Sequence, residues 1–198
     1  MIGGPYQVVK DFEEALCHYT GAPYSVSTNS CTMALLLCCA WHKVKTVEIP
    51  KRTYVSVPMS IRHAGGKVKF RDEDWLGDYE LKPYPILDSA RRFTKNMYQG
   101  GFVCVSFHWS KPLGIQQGGA ILHGNSKADG WLRRARFDGR EEGVPPKDDN
   151  INMLGWHCYM SPEIAAEGLM RLSLIGDGAI LPNDEYPDLS QMEIFRGS

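Results

Sequence analysis

The chain has 198 residues, of which 43% are hydrophobic and 23% charged, a composition typical of one soluble globular domain. Its net charge of −1 argues against a generic surface for nucleic acid or anionic membranes. The cysteines lie mostly in apolar runs without a CxxC pair, which favours a reducing compartment. No signal-peptide pattern opens the chain, and the longest apolar run, residues 33–41, is too short to span a bilayer. We therefore expect a cytoplasmic protein.

Hydrophobic periodicity and turn residues predict alternating helices and strands along the first two thirds of the chain. In chain order they are a helix over residues 8–20, a strand over 24–28, a buried helix over 32–42, a strand over 44–49, a helix over 55–64, a strand over 67–70, an acidic, turn-rich stretch over 72–82, and strands over 85–88, 101–107 and 118–123.

The last third of the chain is less regular. Ser126 opens a helix that extends to residue 136, with Asp129 as its predicted capping-box partner. Residues 140–150 are charged and rich in proline and glycine, so they are predicted to form a linker. Ser161 precedes a helix extending to about residue 175, and the remaining residues are expected to wrap around the domain or to fray.

Strands that alternate with helices predict an α/β fold, with three layers (α/β/α) and a mostly parallel central sheet. In such sheets, ligands bind beyond the carboxyl ends of the strands. The polar side chains that follow the predicted strands are therefore the candidate site residues.

Four predicted strand ends carry residues with complementary chemistry. The first is followed by Asn29, Ser30, Cys31 and Thr32, which open the buried helix, and a helix N-terminus favours an anion such as phosphate. The other three ends present Tyr54, Asp88, and Ser106 with Lys111. A phosphate site, an aromatic face, a carboxylate and an amine are together what pyridoxal 5′-phosphate (PLP) requires.

Each of these residues also has an ordinary structural interpretation. The small residues before the buried helix suit a plain N-cap, Lys111 suits a surface position, Asp88 a turn cap and Tyr54 the core. The co-occurrence of all four favours the cofactor site.

Five blocks of sequence strengthen this interpretation. The segment around Lys111 reads SFHWSKPLG and is followed by GGA, and the other blocks read FEEALCHYTGAPYSVSTNSCTMAL, IPKRTYVSVPMSIRHAGGKVKFRD, ILDSARRF and GWHCYMSPEIAAEGLMRL. Taken in chain order, these blocks cover most of residues 1–175. They resemble the DegT/StrS family of PLP-dependent sugar aminotransferases, in a shortened form that lacks most of the C-terminal small domain. The resemblance implies the fold of the large domain of fold-type-I PLP-dependent transferases.

The resemblance also implies a role for each site residue. Lys111 would form the Schiff base with the cofactor and carry protons, as expected for transamination rather than for the family's dehydratase branch, which has histidine there. Asp88 would pair with the pyridinium nitrogen, and Tyr54 would cover the ring. Thr32 and Ser106 would bind the phosphate together with the backbone at Cys31.

Three of the candidate site residues depart from the family pattern. Cys31 stands where the family has a glycine before the phosphate-binding threonine. Arg91 replaces a glutamine that bonds the ring's phenolic oxygen, and it could do the same or turn outward to solvent. His157 aligns with an asparagine that reaches the phosphate in the partner subunit; it could donate to that phosphate or be an ordinary half-buried histidine.

The domain organisation follows from the same resemblance. Residues 1–140 would be the PLP-binding large domain, 141–160 a linker and partner-facing loop, and 161–198 a helix and irregular tail. The family implies a homodimer with a shared active site, with an amino acid such as glutamate as donor and a keto-sugar nucleotide as acceptor. The alternative is a catalytically degenerate PLP-fold protein that acts as a binding or regulatory partner.

Two further functions are disfavoured. The cluster Arg133, Arg134 and Arg136 could contact nucleic acid, but the balanced charge and the lack of interleaved aromatic residues favour a solvated helix face. A zinc site made of His108, His157 and Cys158 lacks the ligand spacing typical of zinc. We therefore expect no metal, nucleic-acid or membrane partner.

Overall fold

A sheet of five hydrogen-bonded strands crosses the computed structural model, which describes residues 4, 6–183 and 185–195. In spatial order its strands are β1 (Tyr24–Thr28), β8 (Gly119–His123), β7 (Phe102–Ser106), β5 (Ile86–Asp88) and β4 (Tyr79–Glu80). Paired backbone hydrogen bonds between Glu48 and Lys82 join this sheet to the parallel strands β2 (Thr46–Pro50) and β3 (Lys67–Arg71).

The seven strands given so far share one direction except at two places. β8 runs antiparallel to both of its neighbours, and β4 runs antiparallel to β5. The remaining five strands, β1, β2, β3, β5 and β7, point the same way, so the predicted mostly parallel direction is confirmed. Of the four neighbouring pairs in the five-stranded sheet, β5–β7 is parallel and three are antiparallel. Two of these three arise because β8 is reversed between β1 and β7, and the third because the short connection 81–85 can join β4 to β5 only as an antiparallel neighbour.

Helices cover both faces of the sheet. Helices α2 (Cys31–Trp41), α3 (Ser56–His63) and α4 (Ser126–Ala135) share one apolar core, while α1 (Gln7–Thr20) and α5 (Pro162–Leu172) share the other. Alternate residues of β7 enter the two cores, with Cys104 on the first face and Val105 on the second. The predicted three-layer α/β/α architecture is therefore confirmed.

Helix α2 is buried between the sheet and two other helices, as its sequence predicts. Leu35 and Leu37 are almost inaccessible to solvent, and each buried leucine contributes roughly 2 kcal/mol of stability. At its start, the Ser30 hydroxyl accepts a hydrogen bond from the backbone N–H of Met33. This packing fixes the N-terminus of α2 against the carboxyl end of the sheet.

The predicted capping box of α4 is wrong. The helix begins at Ser126, but the side chain of Asn125 accepts hydrogen bonds from the N–H groups of Lys127 and Ala128. Asp129 instead bonds Arg133 at 2.8 Å. Asparagine is as good an N-cap as serine, so the cap lies one residue earlier than expected.

The solvated face predicted for the arginine cluster is also wrong. Arg136 is 1% exposed and binds Glu13, which Arg133 contacts at 2.6 Å. Glu13 in turn accepts hydrogen bonds from the backbone N–H and hydroxyl of Ser27 in β1. Burial raises the pKa of Glu13, but the guanidinium groups of Arg136 and Arg133 outweigh it and lower this pKa below its ordinary value. The cluster therefore ties α4 to α1 and β1.

The carboxyl-terminal residues wrap around the domain. Helix α5 ends at Leu172, slightly earlier than predicted, and β9 (Gly178–Ile180) pairs with β6 (Arg92–Thr94). These strands were missed, as was β4, because two or three residues are too few to show a strand period. After β9, residues 181–183 and 185–195, here called the strap, cross the carboxyl edge of the sheet.

The strap is anchored at its far end. Leu189 is fully buried, and its backbone N–H donates to the carbonyl of Lys51 at 2.9 Å. The Lys51 ammonium lies 3.4 Å from the Asp188 carboxylate, and the ring of Phe195 packs against Phe70. These contacts hold the strap over the end of β2.

Candidate active site

A cavity of about 390 Å³ opens at the carboxyl edge of the sheet. Its volume is within the usual range for small-molecule sites. Seven of the predicted site residues line it together: Cys31, Thr32, Tyr54, Asp88, Arg91, Ser106 and Lys111. They come from the ends of β1, β2, β5 and β7, because strands that share a direction bring their carboxyl ends to one edge.

One end of the cavity is suited to a phosphate. The N-terminus of α2 carries N–H groups that have no partner within the helix, and its dipole favours negative charge. The hydroxyls of Thr32 and Ser106 stand beside it, with Thr32 donating to Ser56 at 2.9 Å. Gly119 lies directly behind, where a Cβ atom would come within 2.5 Å of the Cys31 nitrogen. The close approach of β8 to α2 therefore requires glycine.

The Asp88 carboxylate occupies the floor of the cavity. Its side chain accepts hydrogen bonds from the Tyr79 hydroxyl at 2.9 Å and from the Ala90 N–H at 3.0 Å. Burial raises the pKa of Asp88, and these two donors and the charge of Lys111 oppose that rise. The carboxylate is thus placed to face a cationic group in the cavity.

Lys111 lies in the turn that follows β7. Its backbone N–H donates to the carbonyl of His108 at 2.8 Å, and the His108 ring contacts the Ser110 hydroxyl at 2.9 Å. The turn places the amine of Lys111 at the cavity wall, where its charge acts on both Asp88 and Cys31. Burial, followed by the nearby Asp88 charge, raises the pKa of the Cys31 thiol, so Cys31 is a neutral wall residue.

The remaining predicted residues have different placements. Arg91 is 7% exposed and lines the cavity, so the alternative in which it turns out to solvent is wrong. The side chain of His157 is 72% exposed, so it is not half-buried, and it contacts Asp138 at 2.8 Å outside this cavity. Its expected role in a partner subunit stays a prediction.

Three aromatic rings form the rim of the cavity. Tyr54 is 58% exposed, and its ring centroid is 6.5 Å from that of Tyr186 in the strap. Tyr186 stacks on Trp75, whose indole N–H donates to the carbonyl of Arg52 at 2.9 Å. Asn183 of the strap also bonds the carbonyl of Trp75. The rim therefore combines the turn-rich segment after β3 with the strap.

Sequence reasoning missed Tyr79, Trp75 and Tyr186. Trp75 and Tyr79 lie in the stretch predicted as turn, and Tyr186 lies in the tail that was expected to wrap or fray. Aromatic residues in otherwise acidic, turn-rich segments were the available signal, since such residues usually bury their rings.

The described residues include no group of three or more histidine, cysteine, aspartate or glutamate side chains that could hold a metal ion. No helix in the described part of the chain is both long enough and apolar enough to cross a membrane.

The donor set fits PLP. A helix N-terminus with two hydroxyls suits its phosphate, a buried carboxylate suits its ring nitrogen, and a lysine amine suits its aldehyde carbon. Tyr54 and Arg91 can contact the ring and its phenolic oxygen. The fold and this cavity define the class of the protein: an α/β domain with the architecture of the large domain of fold-type-I aminotransferases.

Comparison with known proteins agrees with this class. The profile of the DegT/DnrJ/EryC1/StrS aminotransferase family matches residues 2–96. A curated Campylobacter jejuni protein, UDP-4-amino-4,6-dideoxy-N-acetyl-beta-L-altrosamine transaminase, is 24% identical over 214 aligned positions, which cover 83% of this chain and 56% of that protein. The predicted resemblance to the DegT/StrS aminotransferases is confirmed.

Solved structures show the same fold. A DegT DnrJ EryC1 StrS aminotransferase from Brucella abortus superposes with a TM-score of 0.73 and 19% identity, over 88% of this chain and 60% of that one. Helicobacter pylori PseC, an aminotransferase involved in the biosynthesis of pseudaminic acid, gives a TM-score of 0.72 and 17% identity, over 85% and 58%. The chain thus spans less than two thirds of the length of these relatives.

Proposed function

We propose that this chain binds PLP and acts as a sugar aminotransferase, moving an amino group from an amino acid such as glutamate to a keto-sugar nucleotide. The observation that carries the proposal is that Lys111, Asp88 and the N-terminus of α2 meet in one cavity. PLP supplies an electrophilic carbonyl that takes up amines and a ring that withdraws electrons from the bond to be broken.

Lys111 is the proposed catalytic residue. Its Nζ would hold the cofactor covalently between turnovers and, once displaced by the incoming amine, would carry a proton between the carbon atoms on the two sides of the transferred nitrogen. A lysine amine serves as such a base once it has lost its proton.

Asp88 and Arg91 would each act on a different atom of the ring. The buried Asp88 carboxylate would keep the ring nitrogen protonated, which strengthens electron withdrawal. Arg91, at the cavity wall, would donate to the phenolic oxygen in place of the family's glutamine. Thr32, Ser106 and the backbone at Cys31 would bind the phosphate and so fix the ring above the floor of the cavity.

The overall exchange balances without a further reactant. The donor carbon loses its amino group and its hydrogen, gains a carbonyl oxygen and is oxidised to a 2-oxo acid. The acceptor carbon loses its carbonyl oxygen, gains the amino group and a hydrogen, and is reduced by the same two electrons. The aromatic rim would contact the acceptor, because the flat faces of Tyr54, Trp75 and Tyr186 line the approach to the cavity.

The same resemblance suggests how the chain is organised and assembled. We propose that residues 1–140 bind the cofactor, that 141–160 face a second copy in a homodimer, and that His157 reaches the partner's phosphate. The high exposure of the His157 side chain is compatible with such a contact.

Absorbance spectroscopy tests the proposal. The purified chain with added PLP is expected to gain a visible band, which glutamate then bleaches as the amino group is taken up. The Lys111→Ala variant is expected to lose the band, while Lys127→Ala, a change on the exposed face of α4, keeps it. A chain that stays colourless with PLP would contradict the proposal. A band that no amino donor alters would instead favour the degenerate binding protein.

A further inference from the structure

A buried tyrosine contacts the carboxylate on the cavity floor. Tyr79 is 6% exposed, and its hydroxyl donates to Oδ2 of Asp88 at 2.9 Å. The same hydroxyl lies 2.6 Å from Oγ1 of Thr53. Because a tyrosine has one proton and Asp88 receives it, the Thr53 hydroxyl must donate to the tyrosine oxygen. A chain of hydrogen bonds therefore runs from Thr53 through Tyr79 to Asp88.

The geometry of the carboxylate is fixed from two directions. The N–H of Ala90 donates to Oδ1 of Asp88, so each carboxylate oxygen already holds one donor. A carboxylate oxygen can accept at two positions, which leaves one position on each oxygen for a group in the cavity. Asp88 lines that cavity while its other surroundings are buried.

Tyr79 reaches this position because β4 runs antiparallel to β5. The hairpin of β4 and β5 places Tyr79 directly opposite Asp88 in the antiparallel register. Its ring is held from the outer side by Trp75, whose centroid lies 4.7 Å away. The segment that was expected to be mere turn therefore delivers a hydrogen-bond donor to the floor of the site.

We propose that Tyr79 is a positioning residue, which holds the Asp88 carboxylate ionised and aimed at the ring nitrogen of the cofactor. This inference rests on the proposed function. Tyr79 itself would contact neither substrate nor cofactor, and it would act through Asp88.

The charged and titratable groups that face Asp88 support this role. Lys111 comes from the turn after β7, Asp78 precedes β4, and the thiols of Cys31 and Cys104 come from α2 and β7. Burial raises the pKa of each thiol well above its ordinary value, so both are neutral. Burial and the Asp78 charge oppose ionisation of Asp88, whereas the hydrogen bonds from Ala90 and Tyr79 and the Lys111 charge favour it. Arg91 lines the same cavity and adds a second positive charge.

The tyrosine stays a donor over the working pH range. Burial, and then the charge of Asp88, raises the pKa of Tyr79 well above its ordinary value. The hydroxyl therefore keeps its proton and cannot become a second anion beside the carboxylate.

The test uses the isosteric substitution Tyr79→Phe, with Tyr98→Phe as the matched control. Tyr98 donates to the carbonyl of Gly101 at 3.2 Å, away from the cavity. Carbon-13 NMR of the chain without PLP follows the Asp88 carboxyl directly. We expect Tyr79→Phe to raise its pKa by roughly one unit, because a hydrogen bond to the charged form is lost. We expect Thr53→Val to cause a smaller rise and Tyr98→Phe none.

A second measurement separates positioning from packing. Tyr79→Phe is expected to weaken PLP binding about tenfold in the parent and to leave it unchanged in an Asp88→Asn background. An unmoved Asp88 titration, or an equal loss of affinity in both backgrounds, would overturn the inference. If the parent binds no PLP, the proposed function fails, and the Asp88 titration alone still decides the role of Tyr79.

Discussion

Tyr186 stacks on Trp75 with their ring centroids 6.2 Å apart and their planes 12° from parallel. The two residues are far apart in sequence, and they meet because the strap crosses the carboxyl edge of the sheet. Trp75 also contacts Tyr79, which bonds Asp88, so the strap is linked to the floor of the cavity through three successive side-chain contacts. The rim and the floor of the site are therefore one connected structure.

The strap's attachment gives the first prediction. Leu189→Ala removes its buried anchor, and we expect a loss of about 2–4 kcal/mol in the stability of this segment. Hydrogen exchange is expected to accelerate in residues 185–195 while strand β7 stays protected. Leu174→Ala serves as the control, because this side chain is 78% exposed. It should change neither the stability of the strap nor its hydrogen-exchange rate. Equal acceleration in β7 would show that the strap does not open separately.

The phosphate end of the cavity gives the second prediction. Thr32→Val combined with Ser106→Ala removes two hydroxyls beside the N-terminus of α2. Each hydrogen bond to a charged group contributes about 1.5–3 kcal/mol, so PLP affinity is expected to fall at least a hundredfold. Affinity for pyridoxal, which lacks the phosphate, should change little. Equal losses for both compounds would place the phosphate elsewhere.

Gly119 provides the third prediction. A Cβ atom there would meet the backbone of Cys31, which cannot move without displacing α2, so Gly119→Ala should destabilise the fold by about 1–3 kcal/mol and weaken PLP binding. Gly130→Ala is the matched control, because Gly130 lies within α4 with open space around its Cα. That change should stabilise the protein by about 0.5–1 kcal/mol. Chemical denaturation and PLP titration of both variants decide the comparison.

The buried cluster at Glu13 gives the fourth prediction. Glu13→Gln removes the nearest carboxylate of the buried Arg136 and leaves it Glu142 at 3.6 Å, which should cost about 3 kcal/mol in the free energy of unfolding. In the parent, folding lowers the pKa of Glu13. The ionised carboxylate therefore stabilises the folded state fully above the unfolded-state pKa, and this stabilisation is lost as the pH falls through the folded-state pKa.

Urea denaturation across the acid range measures this effect. The difference in the free energy of unfolding between the parent and Glu13→Gln should therefore shrink as the pH falls below the ordinary pKa of glutamate. A difference that stays constant over that range would show that the carboxylate's charge does not contribute.

Local sequence patterns account for most of the fold and for much of the site. The buried helix at Leu35 and Leu37, and strands such as β1 and β7, have enough residues to show their periods. The cavity residues Lys111 and Asp88 were found because strand ends that share a direction must meet at one edge.

The missed features depend on contacts between distant parts of the chain. The strand pair β6–β9 is determined by such contacts, and no local pattern encodes it. The aromatic residue Tyr186 is visible in the sequence, but its place on the rim depends on Trp75, which lies far away along the chain. Arg136 was assigned to a solvated face because charged residues are rarely buried, and its buried partner Glu13 lies more than a hundred positions away.

The proposed covalent attachment of the cofactor is to Lys111. Borohydride reduction of the PLP-loaded chain, followed by proteolysis and mass spectrometry, tests it most directly, because the reduced linkage survives digestion. We predict a single pyridoxyl adduct on the peptide that contains Lys111, and its absence from Lys111→Ala under the same conditions. An adduct on any other lysine of the parent, or no adduct at all, would contradict the account.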